Sequence, residues 1–281
     1  MQKLEQRELE KAVTEVRQAT MGRLVKRHPK YRFWGPLFEH AGPLLLGKTR
    51  GKMIEADYLV MRELDDMADG DTPVPKDYNS ASQYIEEKIS FLRNPNTPRD
   101  NADKLLLYCE QLSQQEGLSL TQEREFILRS MLFDAQRFGT YQIFPAAILD
   151  EHFYRCDIEG TGKGALKIFG EDPAKYRLVE PLGVVSRIHD NLLDYERDVK
   201  AGYINIPEED INRSGMTLVD IKDVNSPKVG AWFAKELTRA RGLLEQDRVL
   251  FPQGRFSLLG RIFVELYIRR PAVHYFNNFP S

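Results

Sequence analysis

The segment YLVMRELDDMAD at residues 58–69 places Asp65, Asp66 and Asp69 in a stretch whose apolar residues recur with the period of an α-helix. On a helix that turns by about 100° per residue, Asp65 and Asp69 lie on one face. Like charges at this spacing cost stability unless a cation binds beside them. The segment therefore predicts a helix with an acidic face that binds a cation.

A second acidic segment, HDNLLDYERD at residues 189–198, follows about 125 residues later. In a helix, Asp190, Asp194 and Asp198 form a stripe that drifts by only about 80° over a rise of roughly 12 Å. Magnesium takes carboxylate oxygens, keeps several waters and completes its shell with substrate phosphates. Two such helices facing each other would bind a diphosphate through magnesium. Arg62, one turn before Asp66, supports that interpretation. The alternative is two solvated helix faces.

Composition limits the class of protein. The chain has 281 residues, of which 42% are hydrophobic and 29% charged, as in ordinary globular proteins. A formal charge of -2 gives no electrostatic case for nucleic acid as a partner. Cys109 and Cys156 have no metal-ligand spacing and fit a reducing cytoplasm. The charged start lacks the apolar core of a signal peptide, and no run approaches the roughly 18 apolar residues of a membrane span. We expect a cytoplasmic or peripheral protein.

Helical periodicity dominates the chain, and no convincing alternating strand pattern is present. Clusters of Pro, Gly, Asn and Asp separate the periodic segments at 70–80, 93–101, 169–173 and 251–254. The pattern predicts one all-α domain over residues 1–281 without a linker. The predicted helices are 3–26, 49–69, 80–94, 101–115, 119–138, 145–166, 173–200, 226–247 and 256–269.

Two further features bear on the chemistry of the chain. GTGKG at 160–164 matches neither the dinucleotide nor the phosphate-loop fingerprint, and close approach of backbones or of substrate inside a buried helix is the better interpretation. The histidines form no zinc-binding pair and no catalytic triad. His189 directly precedes Asp190 and is a candidate for orienting a carboxylate or accepting a proton. The alternative is a structural histidine whose ring nitrogens are hydrogen-bonded and take no part in chemistry.

Because it contains both acidic segments, the chain resembles the squalene/phytoene synthase family over roughly residues 50–270. Residues 58–69 look like that family's Tyr-x-x-x-Arg-x-x-Asp-Asp-x-x-Asp motif. Residues 190–207 are similar to its Asn-x-x-x-Asp-x-x-x-Asp motif and the Gly-Arg-x-Tyr-x-Pro segment after it. Residues 154–161 are similar to its Tyr-Cys-Tyr-x-Val-Ala-Gly-Thr helix, and residues 261–275 follow its last helix.

The resemblance implies an all-α isoprenoid-synthase fold, a single helical domain with a central cavity flanked by two Asp-rich helices. It implies magnesium, two or three ions, and head-to-head joining of two prenyl diphosphates through a cyclopropyl intermediate to a linear polyene. Arg62 and Lys200 would steady the departing diphosphate. Tyr58 and Tyr154 would line the pocket and stabilise cationic carbon. The implied magnesium ligands are Asp65, Asp66, Asp69, Asp190, Asp194 and Asp198.

Several positions depart from the family pattern and concern how substrates are held. Segment 28–38 has no counterpart of an early Ser-Phe dipeptide. A Gln is replaced by Arg187, an Arg by Leu193, another Arg by Tyr203, and a pocket Tyr by Gly260. Arg187 lies one turn before Asp190, so we expect it to replace one lost phosphate contact. Other candidate phosphate ligands, each with an ordinary surface charge as its alternative, are Lys26, Arg27, Arg32, Lys48 and Arg50.

These observations leave three functions open. The leading one is magnesium-dependent head-to-head prenyl transfer. The second keeps ionisation but uses one diphosphate, with cyclisation or transfer to another acceptor. The third is a catalytically silent binding module, against which the retained aspartates argue. A reductive step with NADPH has no positive sign here, and oligomeric state is not determined. The run FSLLGRIFVELYIRR at 256–270 fits peripheral membrane contact or, alternatively, a core helix.

Overall fold

The structure is a computed structural model that describes residues 6–27, 43–270, 273, 274 and 276. Every regular element in those residues is helical, so the predicted all-α class is confirmed. No helix in the described ranges is long and apolar enough to cross a membrane. Segment 28–38, Arg32 and the side chain of Arg27, all considered from the sequence, lie outside what the structure describes.

The helices are numbered in chain order. The first five are α1 (Gln6–Arg27), α2 (Lys48–Ala68), α3 (Ala81–Arg93), α4 (Asn101–Gln115) and α5 (Thr121–Arg137). They are followed by α6 (Ala146–Phe153), a π-helix (Tyr154–Gly162), α7 (Lys163–Ile168), a 3₁₀ turn (Pro173–Lys175), α8 (Tyr176–Leu193), α9 (Tyr195–Lys200), α10 (Glu208–Ser214) and α11 (Leu218–Lys222). The last are α12 (Pro227–Leu250), a 3₁₀ turn (Phe251–Gly254), α13 (Leu258–Phe263) and a second π-helix (Val264–Arg269).

The chain forms two compact units, Met1–Ala135 (unit 1) and Gln136–Ser281 (unit 2). The prediction of one domain over the whole chain stays a prediction. In unit 1, α2 packs against α1 and α4, and α3 packs against α4. Apolar side chains such as Met53, Leu64 and Leu105 are fully buried in this unit. Burial of this apolar surface is the main force that holds α2 and its acidic residues in place.

Unit 2 is organised around α8, which packs against α12 and against the π-helix Tyr154–Gly162. Its core includes Val185, Ile206, Val229 and Trp232, which come from α8, the chain after α9, and α12. Because α8 is apolar on this face, its remaining residues are free to carry polar chemistry. Asp190 therefore lies in the last turn of a well-packed helix, and Asp194 and Asp198 follow it in the chain.

Three local features differ from the predicted helices. In place of the single predicted helix 173–200, one helix ends at Leu193 and a second begins at Tyr195. The predicted helix 145–166 contains a nine-residue π-helix. Two short helices, Glu208–Ser214 and Leu218–Lys222, were not predicted because so few turns carry no readable periodicity. Gly160 and Gly164 of the GTGKG segment are buried inside helical structure, as expected from the sequence.

Candidate active site

The acidic end of α2 is organised by two arginines. Asp66 is only 2% exposed, and its two carboxylate oxygens accept hydrogen bonds from Arg62 Nη2 and from Arg23 Nε, the latter at 3.1 Å. Arg62 Nη1 also donates to Asp65 Oδ2 at 3.0 Å. A buried carboxylate with both oxygens occupied is suited to hold arginines in position. Asp66 therefore anchors Arg62, while Asp65 remains partly exposed.

Arg62 is charged in this setting. Although burial opposes its charge, the neighbouring Asp65 and Asp66 carboxylates raise the pKa of Arg62. Asp69 follows the last residue of α2, and its backbone N–H donates to Asp65 O at 2.9 Å. Tyr58, three turns earlier, is about half exposed. The structure thus places Tyr58, Arg62, Asp65 and Asp69 on α2 or at its end, as the sequence predicted.

The second acidic segment surrounds the break between α8 and α9. Asp194 stands at that break, and its backbone N–H donates to Asp190 O at 2.9 Å. Asp194 Oδ2 accepts a hydrogen bond from Arg197 Nη2 at 3.0 Å, and both side chains reach the surface. His189 Nδ1 lies 3.0 Å from Asp190 Oδ1, which matches the hypothesis that this histidine orients a carboxylate. Asp190 and Asp194 are both accessible to a ligand.

Asp198 lies deeper than the other two acids. Asn205 Nδ2 donates to Asp198 Oδ2 at 3.1 Å, and Arg137 Nη1 donates to Asn205 Oδ1 at 2.8 Å. Burial raises the pKa of Asp198 to about 6, and the Asp194 carboxylate adds to the rise. A cation bound beside these acids would lower that pKa and favour the ionised form.

The donor set fits magnesium. Among the described residues, no three His, Cys, Asp or Glu side chains are grouped closely enough to form a metal site by themselves. Magnesium does not require such a group, because it binds through one or two carboxylates, waters and substrate phosphates. Asp65, Asp190 and Asp194 supply hard, partly exposed carboxylate oxygens of this type. The six predicted magnesium ligands stay predictions, and the two hydrogen bonds to Asp66 suit it better to anchoring arginines.

Unit 2 contains a cavity of about 220 Å³ beside the π-helix. Aromatic side chains from three helices line it: Phe153, Tyr154 and Trp232. The Tyr154 hydroxyl lies 3.4 Å from that of Tyr176, and burial raises the pKa of Tyr154. Trp232 is buried, and its Nε1 has no hydrogen-bond partner among the described residues. Tyr154 lines this cavity, and its role in stabilising cationic carbon stays a prediction.

Arg187 lies in the wall of the same cavity, where it pairs with Asp157 of the π-helix. Arg187 Nε donates to Asp157 Oδ2 and Arg187 Nη2 donates to Asp157 Oδ1, both at 2.7 Å. Burial opposes the charge of Arg187, but Asp157 raises its pKa well above the usual range. The guanidinium predicted to contact phosphate is therefore engaged by a carboxylate of its own unit.

Lys200 lies at a different cleft of unit 2. That cleft, of about 230 Å³, is lined by residues that include Tyr141, Lys200 and Lys222. Lys200 is 74% exposed and donates to Glu196 Oε1 at 2.7 Å. Lys222 Nζ lies 3.8 Å from the centre of the Tyr141 ring. The structure does not bring Lys200 to the cavity that contains Arg187, and its role in holding diphosphate stays a prediction.

Sequence reasoning missed Asp157, Asn205 and Trp232. Asp157 falls at a position that the motif Tyr-Cys-Tyr-x-Val-Ala-Gly-Thr leaves unspecified. The replacement of Gln by Arg187 was the available signal, because a new buried arginine requires a carboxylate partner. Asn205 and Trp232 carried no comparable signal, since their relation to the site depends on how α9, α12 and the loop before α10 pack.

Comparisons with known proteins agree with this architecture. The sequence profile of the squalene/phytoene synthase family matches residues 40–270. The crystal structure of a dehydrosqualene synthase in complex with ligand is similar, with a TM-score of 0.64 and 19% identity over 96% of this chain and 86% of that chain. Squalene synthase HpnC from Alicyclobacillus acidocaldarius is similar with a TM-score of 0.66 and 20% identity over 96% and 93%. No curated protein sequence matches this chain significantly.

Proposed function

This chain belongs to the squalene/phytoene synthase family of prenyltransferases, and we propose that it joins two prenyl diphosphates head to head in a magnesium-dependent reaction. The observation that carries the proposal is the family match over residues 40–270 together with accessible aspartates in both acidic segments. The product is a linear polyene of the squalene or phytoene type.

Each acidic residue has a place in the proposed chemistry. Asp65 and Asp69 of one segment, and Asp190, Asp194 and Asp198 of the other, are the carboxylates that would hold magnesium. Bound magnesium would neutralise charge on the leaving diphosphate and polarise its carbon–oxygen bond. Asp66 keeps the Arg62 guanidinium in position for charge-assisted hydrogen bonds to diphosphate oxygens. Lys200 is the proposed second cationic contact, and its exposed ammonium is free to leave Glu196 for a more highly charged partner.

The allylic cation requires a dry, electron-rich environment. Tyr154 and Trp232 line the unit 2 cavity, and aromatic rings attract positive charge over their faces. Ligand pockets commonly measure about 300–1,000 Å³, so this cavity of about 220 Å³ accommodates only part of a prenyl chain. We place the reactive, cationic end of the chain there. Exclusion of water protects the cation until it is attacked by the second prenyl group.

One observation favours a second candidate function. Arg187 is held by Asp157 and Lys200 lies at another cleft, so neither of the two predicted cations stands at this cavity ready for a second diphosphate. An enzyme that ionises one prenyl diphosphate needs only one diphosphate site. Cyclisation of that substrate, or transfer to another acceptor, would then replace head-to-head joining.

Product analysis separates these functions. The purified chain is incubated with Mg²⁺ and with geranyl, farnesyl or geranylgeranyl diphosphate separately, with and without NADPH, and diphosphate release is measured. Extracted products are identified by mass. A product with twice the carbon number of its substrate supports head-to-head joining, and dependence of its hydrogen content on NADPH would add a reductive step. A product of unchanged carbon number supports the second function, and no diphosphate release from any substrate contradicts both.

A further inference from the structure

The Asp157–Arg187 pair is the most unusual feature of the unit 2 cavity. A guanidinium and a carboxylate meet through two parallel hydrogen bonds of 2.7 Å, in a wall that also contains aromatic, aliphatic and other charged side chains. The Arg187 and Asp157 side chains are 28% and 23% exposed. Bidentate pairing of this kind fixes both groups and uses both carboxylate oxygens. Neither charge is then available as an isolated ion.

Local structure determines where the pair lies. Asp157 belongs to the π-helix, whose wider turn changes the direction of its side chains relative to an α-helix. Gly183 lets α8 approach this π-helix, because a Cβ there would lie 2.0 Å from Ile158 Cδ1. The Arg187 guanidinium also stands 4.7 Å from the centre of the Phe153 ring. Helix contact, aromatic stacking and pairing therefore all hold Arg187 against the wall.

The other charges of the cavity do not replace this pair. Arg239 lies 3.4 Å from Glu236 and 3.8 Å from Asp150, so its pairing is looser and engages different acids. Glu180 adds a further acid to the lining. Loss of either Asp157 or Arg187 would leave one full charge unbalanced beside the aromatic faces. The charged residues of the lining are Asp150, Asp157, Glu180, Arg187, Glu236 and Arg239.

We propose that Asp157 is a positioning residue that neutralises and fixes Arg187, so that this pair adds no net charge of its own at the part of the wall that faces the cationic intermediate. This inference rests on the proposed function and goes beyond it by giving a role to a residue outside both acidic segments. An unpaired guanidinium would repel an allylic cation, and an unpaired carboxylate would attract it and compete with the proper acceptor. Balance of the pair keeps the cation available for carbon–carbon bond formation.

The first test measures binding of a stable cation. Dimethyldodecylammonium, with one positive charge and an alkyl chain, serves as the probe in titration calorimetry below its micelle concentration. Because one unbalanced charge acts across a partly solvated wall, Asp157→Asn should weaken probe binding by about tenfold and Arg187→Gln should strengthen it by about tenfold. The double variant Asp157→Asn/Arg187→Gln and the conservative Arg187→Lys should both stay within about threefold of the unmodified chain.

The second test uses steady-state kinetics with the prenyl diphosphate that the chain consumes. Asp157→Asn should lower kcat by about tenfold without raising KM, because the charge it exposes acts on the cation formed during the reaction. The double variant should recover most of kcat. A purely structural role for Asp157 would instead lower kcat in the double variant at least as far as in the single one, and that result would overturn the proposal.

Matched variants in unit 1 establish that the effect belongs to the cavity wall. Arg93→Gln and Glu125→Gln break a similar two-bond arginine–carboxylate pair and should not change probe binding. Circular dichroism checks that each variant folds.

A KM raised tenfold in Arg187→Gln with unchanged probe binding would show that Arg187 binds diphosphate, against the proposal. If the unmodified chain releases no diphosphate, the proposed function fails, while the order of probe affinities still decides whether Asp157 balances the charge of Arg187.

Discussion

Gly183 of α8 packs closely against Ile158 of the π-helix. A Cβ at this position would lie 2.0 Å from Ile158 Cδ1 and 3.5 Å from Ile158 Cγ1. Real side-chain atoms do not approach so closely, so any larger residue must displace Ile158. Both residues line the unit 2 cavity. The absence of a side chain at Gly183 therefore leaves room for Ile158 in the cavity wall.

Gly183→Ala should destabilise the chain by about 1–3 kcal/mol through overpacking, despite the better helix propensity of alanine. Gly230→Ala is the matched control, because Gly230 lies in α12 with no atom within 4 Å of an added Cβ. That control should stabilise by up to about 1 kcal/mol. Urea unfolding measures both. Equal stability of the two variants would show that Ile158 moves away at no cost.

The ionisation of Glu125 makes the free energy of unfolding depend on pH. Its carboxylate accepts hydrogen bonds from Arg93 and from Arg129, and these lower its pKa to about 2 from an ordinary value near 4.5. The folded state therefore binds its proton less readily than the unfolded state does. The stabilising contribution of this acid is fully present above pH 5 and is lost as the pH falls from about 4.5 to 2.

We therefore expect Glu125→Gln to lower the free energy of unfolding by about 1 kcal/mol at pH 6, and the difference from the unmodified chain to shrink towards zero near pH 2. Urea titrations at several pH values measure it. Glu245→Gln, at an exposed acid paired with Arg248, is the control. A difference that grows as the pH falls would contradict the assigned pKa direction.

Sequence patterns anticipated the acidic residues better than their partners. The positions of Asp65 and Asp194 on helical segments followed from spacing alone, because helix geometry relates neighbours along the chain. The partners Arg23 and Asp157 lie far from Asp66 and Arg187 in sequence, and only packing brings them together. A single sequence contains no period that links residues across such separations.

At the scale of elements, the N-termini of α3 and α4 show two kinds of cap. Ser80 Oγ accepts from Gln83 N at 3.2 Å and has only this capping role in α3. Asp100 Oδ1 accepts from Asp103 N at 2.9 Å, while its Oδ2 accepts from Lys88 Nζ at 2.7 Å. Lys88 is completely buried and also contacts Asp103. The cap of α4 is therefore part of a buried ionic network.

Ser80→Ala should cost about 1 kcal/mol, the usual value of an N-cap. Asp100→Ala should cost about 3 kcal/mol or more, because it leaves part of the charge on buried Lys88 unpaired. Chemical denaturation of both variants measures the difference. If the two losses are equal, capping alone accounts for Asp100 and the buried network adds nothing.

The break between α8 and α9 and the π-helix were invisible in the hydrophobic pattern. Both leave the chain helical, so apolar residues still recur at nearly the same spacing. Each irregularity changes the direction in which the following side chains point. Asp194, at the helix break, reaches the surface, and Asp157, in the π-helix Tyr154–Gly162, reaches Arg187. Irregular turns of this kind are stabilised by neighbouring elements rather than by local propensity.

At the scale of the whole molecule, the proposed reaction uses aspartates from both acidic segments. Mg²⁺ with inorganic diphosphate at about 100 times its Kd should therefore stabilise the chain by about 2.7 kcal/mol, which corresponds to roughly 5–10 °C in Tm. Asp65→Asn and Asp194→Asn should each remove most of that rise and lower turnover at least about a hundredfold. Differential scanning fluorimetry measures the shift, with Glu245→Gln as control. A full shift in both variants would rule out these aspartates as magnesium ligands.

The fold itself tolerates wide sequence change. Solved structures with 19% and 20% identity share it over 96% of this chain. Helical cores need apolar residues of suitable volume at suitable spacing, and many sequences satisfy that requirement. Of the positions that depart from the family pattern, Arg187 lines the unit 2 cavity, whereas Gly260 is closely packed, since a Cβ there would lie 2.1 Å from Glu171 Oε1. Peripheral membrane contact stays a prediction at this scale.

The sequence by itself determined the helical class, the family and the positions of the two acidic segments, because periodicity and short motifs are local properties of the chain. Tertiary structure alone decided that Asp66 holds two arginines, that Asp157 engages Arg187, and that Lys200 lies at a separate cleft from Tyr154. Those relations depend on which faces of the helices contact each other. The packing free energy of the whole unit decides those contacts, so the sequence of any single segment does not reveal them.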